Sequence, residues 1–141
     1  MINIHATLIE FEGKGVLLTG KSGSGKSDVA LRMIMDKGAK LVSDDRVVLH
    51  REGNKIFGKA PDILAKKLEI RNIGIVEIEN FTETTCVCLC VELCKDKNAL
   101  DRLPANKYID ILGVDIPQIN LYPFECSTIH KIIQKISGKI I

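Results

Sequence analysis

The chain has 141 residues, 45% of them apolar and 27% charged, with a net charge of +2. That length and balance suit one globular domain with its own core. So small a charge, with 4% aromatic residues and no Trp, gives no basis for a nucleic-acid surface. No apolar run reaches the roughly 20 residues that a membrane span needs. The opening residues, Met1-Ile2-Asn3-Ile4-His5, lack the basic region and cleavage site of a signal peptide, so a cytoplasmic protein with no membrane partner is expected.

Residues 4–11 read as a first strand carrying His5, followed by a turn at Gly13-Lys14-Gly15. Val16–Thr19 reads as a buried strand and runs into Gly20, Lys21, Ser22, Gly23, Ser24, Gly25, Lys26 and Ser27. These eight residues fit G-x-x-x-x-G-K-[ST], the phosphate-binding P-loop. Its glycines let successive backbone N–H groups turn inward on an anion. Lys26 supplies positive charge, and the Ser27 hydroxyl suits a magnesium ion. Lys26–Lys37 then reads as a helix with Val29, Ala30, Met33 and Ile34 on one face, its N-terminus toward the phosphates and Gly38 as its stop.

Leu41–Ser43 is an apolar strand ending in Asp44 and Asp45. Val47–His50 and Lys55–Phe57 flank a Gly53-Asn54 turn and predict a hairpin. Pro61–Lys67 reads as a short helix. Leu68–Ile70 and Ile73–Ile78 read as extended segments around Arg71-Asn72. Thr85–Leu93 is apolar on both faces and reads as the most buried strand. Cys86, Cys88 and Cys90 alternate along it as small apolar residues rather than as zinc knuckles, which usually pair cysteines on turns. Lys95–Lys107 is polar and reads as a loop. Ile109–Leu112 precedes Gly113, Ile116–Tyr122 reads as a strand, and Ser127 as the cap of a last helix with Ile129, Ile132, Ile133 and Ile136 inward. The sum is an α/β fold, a mixed sheet with flanking helices.

Phosphoryl transfer needs metal ligands, a base for the acceptor and cations for the transferring group. Asp44 and Asp45 stand at a strand end, and adjacent residues on a strand point to opposite sides. One of the pair can therefore face the metal beside Ser27 and the other the acceptor; the plainer reading is a solvated turn. Glu69 and Arg71 alternate among Leu68, Ile70 and Ile73, as a metal ligand beside a phosphate-binding cation or as an ion pair. His5 is structural or catalytic. Arg102, in Asp101-Arg102-Leu103-Pro104, is a loop cation of the kind that neutralises developing charge.

These residues, in this order, resemble the HPr serine kinase/phosphorylase family in its C-terminal catalytic domain. The likeness runs through Ile4-His5-Ala6, Gly15–Leu18 into Gly20–Ser27, Leu41–Val47 around Asp44-Asp45, Leu68–Ile75, Arg102-Leu103-Pro104 and Ile111-Leu112-Gly113. It implies a P-loop kinase fold similar to phosphoenolpyruvate carboxykinase. It further implies transfer of phosphate from ATP to a serine of HPr, the small phosphocarrier of the sugar phosphotransferase system. Reversal by inorganic phosphate and assembly as hexamers are also implied. By position, Gly20–Ser27 hold ATP, Ser27 and Glu69 hold Mg²⁺, and His5, Lys26 and Arg102 match catalytic positions. Asp45, with Asp44 close behind, matches the base that takes the serine proton.

The chain departs from longer members in three ways. Their N-terminal regulatory domain is expected to be absent, as in the short form of alphaproteobacteria. Asn72 stands where the family has glycine, so a left-handed backbone is expected there. Pro123-Phe124-Glu125-Cys126 replaces a Pro-Gly-Arg-Asn-like stretch linked with dephosphorylation. The competing expectations are a non-catalytic nucleotide sensor that binds HPr, and a small-molecule kinase.

Overall fold

A computed structural model describes residues 1–141. In chain order the elements are β1 (Ile2–His5), β2 (Thr7–Phe11), β3 (Lys14–Thr19), α1 (Lys26–Lys37), β4 (Lys40–Ser43), β5 (Arg46–Glu52) and β6 (Lys55–Lys59). Then come β7 (Lys67–Ile70), β8 (Gly74–Glu77), β9 (Thr84–Leu93), β10 (Lys107–Ile111), β11 (Val114–Leu121) and α2 (Thr128–Ser137). Nine strands form one mixed sheet, and β7–β8 stand apart as a hairpin. β9 is the spine: it pairs with β6 at its start, then with β3 on one side and β11 on the other. A strand so enclosed must be apolar on both faces, which is why Thr85–Leu93 lacks a polar side.

One part of the sheet runs in the order β4-β2-β3-β9-β11. β3, β9 and β11 are mutually parallel, and β4 joins their direction because β2 is antiparallel to both β3 and β4. The segments after β4, β3, β9 and β11 therefore leave the sheet at one edge. Ligands of parallel sheets sit outside such strand ends.

Side chains alternate between two cores. Val16 and Leu18 of β3 join Val29, Ala30, Met33 and Ile34 of α1 with Ile129 and Ile132 of α2. Leu17 points the other way, to Leu8, Val47, Leu49 and Ile56. Both helices thus cover one face. The opposite face is closed by the sheet curling over itself through β5 and β6, not by a helix, so the helices flank one side only.

At Gly15 the register between β3 and β9 shifts, and an added Cβ would stand 2.5 Å from the Cys86 carbonyl oxygen. Backbone cannot move aside as a side chain can. Gly15→Ala is expected to cost about 1–3 kcal/mol of unfolding free energy, typical of overpacking. A urea melt with an unchanged midpoint would refute so close an approach.

Four local expectations change. The strand over residues 4–11 is two strands, since β1 pairs with β5 whereas β2 pairs with β3 and β4; the chain turns at Ala6, whose N–H donates to the Asp45 carbonyl. Pro61–Lys67 contains only one 3₁₀ turn, Asp62–Leu64, with Ile63 exposed; so short a segment, without an apolar face to bury, does not sustain a helix. The polar loop ends one residue early, at β10, which pairs antiparallel with β11. Ser127 occupies the cap position of α2 but makes no capping bond. The buried Thr128 hydroxyl instead accepts from the Glu125 N–H and donates to the Tyr122 carbonyl.

Candidate active site

The P-loop joins the end of β3 to the start of α1. Ser24 N–H closes a turn onto the Lys21 carbonyl at 3.0 Å, and Gly25 caps the helix with φ +99°. Lys26 Nζ folds back to donate to the Gly20 and Lys21 carbonyls, at 2.9 and 3.0 Å, and to Ser24 Oγ at 3.4 Å. Burial lowers its pKa from the usual lysine value, while the carboxylates of Asp44 and Asp45 offset part of that shift. The buried ammonium is thus held against the loop, its three N–H groups directed to Gly20, Lys21 and Ser24.

Asp44 and Asp45 differ sharply. Asp44 is buried. Its Oδ1 accepts from Thr7 Oγ1 and Ser27 Oγ, each at 2.8 Å, and its Oδ2 from the Glu69 N–H at 3.2 Å. It therefore fastens the P-loop helix, the first core strand and the β7–β8 hairpin to one carboxylate. Asp45 is exposed and lies in the left-handed region with φ +72°. That backbone turns its side chain out, where Oδ1 meets His5 Nε2 at 3.2 Å. The break at Ala6 and the β1–β5 register, which pairs His5 with Arg46, bring the imidazole there. Non-glycine residues in this region are strained, and such strain gathers at functional sites.

These groups line one cavity of about 520 Å³ with Ser22, Gly23, Gly25, Lys26, Ser27, Asp28, Leu31, Glu69, Ile70, Arg71, Asn72 and Phe124. The β7–β8 turn forms its far wall, and Asn72 has the expected left-handed backbone, φ +71°. Asp28 is paired with Arg32 at 3.0 Å. Asp45 is likewise paired with His5, and both oxygens of Asp44 accept hydrogen bonds, so Glu69 is the carboxylate of the cavity without a side-chain partner. These carboxylates do not cluster into a metal cage by themselves, but negative charge beside a polyphosphate site calls for a cation between the two. The donors present are hydroxyl and carboxylate oxygens, the hard ligands that magnesium prefers, with room for water and phosphate oxygens. The residues fit that ion.

Arg102 is not brought into this cavity. It is exposed in the irregular stretch between β9 and β10 and lines a second cleft with Lys97, Asn120, Tyr122, Glu125 and Lys131. The stretch begins beside the P-loop, where Lys95 Nζ lies 3.8 Å from where a Cβ on Gly23 would stand, and then crosses the end of β11 to reach β10, which sets Arg102 at the second cleft. Thr7 carries no signal in the sequence, and Phe124 stands out there only within the altered Pro123–Cys126 stretch. Thr7 anchors Asp44 from 37 positions away, and Phe124 lies against the P-loop from the segment after β11.

A P-loop between a central strand and a helix N-terminus, faced by two acids after β4 and by Glu69 of the β7–β8 hairpin, defines a P-loop protein of the kinase-fold class. The chain belongs to the HPr serine kinase C-terminal domain family, whose model matches residues 1–140. It is 40% identical over 129 residues to the HPr kinase/phosphorylase of Lactobacillus acidophilus, covering 84% of this chain and 40% of the relative. It is 35% identical over 128 residues to that of Halalkalibacterium halodurans, covering 84% and 41%. The chain thus spans about 40% of the length of the curated relatives it matches. The structure of the HPr(Ser) kinase/phosphatase from Coxiella burnetii superposes with a TM-score of 0.82 at 28% identity, covering 99% of this chain and 100% of that one. No helix is long and apolar enough to cross a membrane.

Proposed function

We propose that the chain is the catalytic unit of an ATP- and Mg²⁺-dependent serine kinase acting on HPr. The observation that carries this reading is the division of labour between Asp44 and Asp45 beside the P-loop. When bound, Mg²⁺ would neutralise charge on the phosphate oxygens. Ser27 and Glu69 would hold it, with Asp44 orienting the Ser27 hydroxyl. The backbone of Gly20–Ser27 and the Lys26 ammonium would cradle the polyphosphate. Asp45, exposed at the cavity mouth and oriented by His5, would accept the proton of the incoming serine. Arg71 lines the cavity and suits the charge-neutralising role that the family resemblance gives to Arg102, whose cleft lies elsewhere.

The test is direct. The chain is incubated with ATP, Mg²⁺ and HPr from its own organism, and the carrier is weighed intact. A gain of one phosphoryl group on a serine is expected. Loss of that group on adding inorganic phosphate would add the reverse reaction. ATP binding with no phosphoserine would instead support a non-catalytic nucleotide sensor, and labelled product that is not protein a small-molecule kinase. A cytoplasmic homohexamer is part of the same proposal, and light scattering of the purified chain would give its mass.

A further inference from the structure

We infer that Phe124 is the stacking platform for the aromatic base of the bound nucleotide. This deepens the proposed function and rests on its placement of polyphosphate in the P-loop. The sheet order gives the polarity of the site. In β4-β2-β3-β9-β11 the acids follow β4 and lie on one side of the P-loop strand, whereas Pro123 and Phe124 follow β11 and lie on the other. All these segments emerge at the same sheet edge. A triphosphate whose reacting end faces Asp45 and Glu69 therefore directs its nucleoside end toward Phe124.

Phe124 is suited to that position. It is the only Phe or Tyr lining the cavity, and it is 54% exposed. Its ring atoms Cε1 and Cζ lie 3.2 Å from where a Cβ on Gly25 would stand, so the ring packs directly against the P-loop. An exposed π face at the edge of a polar cavity is what a planar base needs.

The ring is also held in advance. Arg32, on the helix that carries Ser27, donates from Nη1 to the Glu125 carbonyl at 3.2 Å and from Nη2 to the Pro123 carbonyl. Its Nε is fixed by Asp28 at 3.1 Å. Thr128 Oγ1 donates to the Tyr122 carbonyl at 2.7 Å, and the Tyr122 ring meets Phe124 edge-on with centroids 5.8 Å apart. Both ends of the Pro123-Phe124 step are thus tied to the framework that positions the phosphates. A platform fixed before binding loses little entropy when the base arrives.

The absence of Trp from the chain makes the test clean. Phe124→Trp introduces the chain's single tryptophan at the platform, and its emission is excited selectively over Tyr108 and Tyr122 at the red edge of the absorption band. Titration with ATP and Mg²⁺ is expected to quench it in step with calorimetric binding, and titration with inorganic tripolyphosphate to leave it almost unchanged. Phe124→Ala and Phe124→Leu are each expected to weaken ATP binding roughly tenfold while tripolyphosphate affinity stays at the parent value. Phe124→Leu keeps apolar bulk and removes only the π face. Undiminished ATP affinity in both variants would overturn the platform, as would equal losses for ATP and tripolyphosphate. Either result leaves the P-loop reading intact, provided the parent binds tripolyphosphate and Lys26→Ala does not. A parent that binds neither ligand would overturn both.

Discussion

Lys26→Ala is expected to lower phosphoryl transfer from ATP to HPr by roughly 10³-fold, the scale seen when a preorganised electrostatic contact to a developing charge is removed. Two losses combine. The ammonium no longer meets the phosphates, and the loop loses the three hydrogen bonds that Lys26 Nζ makes to Gly20, Lys21 and Ser24. ATP affinity should therefore fall with turnover. Stability should not follow. The buried ammonium is held at a cost, as its lowered pKa indicates, and this opposes the benefit of its loop contacts. The melting temperature of the free chain is expected to move little. Full transfer by the variant would remove Lys26 from the mechanism; a collapsed melt with lost activity would make its role structural.

The second large effect separates the two aspartates. Asp45→Asn is expected to reduce transfer by roughly 10²–10⁴-fold, the usual contribution of a general base, with ATP affinity retained because Asp45 touches no P-loop group. Asp44→Asn should behave differently. Its carboxylate accepts from Thr7, Ser27 and the Glu69 N–H. An amide must turn its NH₂ toward one of those donors, leaving a buried bond unmade at a cost of about 1–3 kcal/mol. Lower thermal stability and weaker Mg²⁺-dependent ATP binding are expected together. Measured side by side, the variants tell a base from an organiser. If Asp45→Asn transfers at the parent rate, the base lies elsewhere and Asp44 becomes the candidate.

Much of the fold was legible because its signals are local. α1 has its apolar stripe at helical spacing and ends on Gly38, whose N–H bonds Ile34 while Ala39 N–H bonds Met33. β9 declared itself by an apolar run too continuous for a half-exposed strand. Asn72 adopts the backbone expected of a glycine replacement. The misread stretches depend on distant partners. Nothing in residues 4–11 says that β1 will pair with β5 and β2 with β3. Ser127 and Thr128 are equally good candidates to hold a helix start until the Tyr122 carbonyl is in place. Arg102 has a persuasive motif, yet its position depends on how β10 returns along β11.

By itself the sequence determined the loop between β3 and α1, since the eight contiguous residues Gly20–Ser27 carry its turn and its helix start and short-range sterics shape it. It also determined which acids and cations are available, and the family likeness their order carries. Only the tertiary structure decided how they are used. Asp44 and Asp45 are chemically identical neighbours; what separates them is Thr7, Ser27 and Glu69 around one and His5 beside the other, contacts made across the chain. Phe124 stood out in the sequence only as part of a departure from the family's Pro-Gly-Arg-Asn-like stretch, until the β11 crossover set it against Gly25. Backbone geometry within a loop is encoded nearby, whereas the burial, direction and partners of a side chain depend on which strands become neighbours.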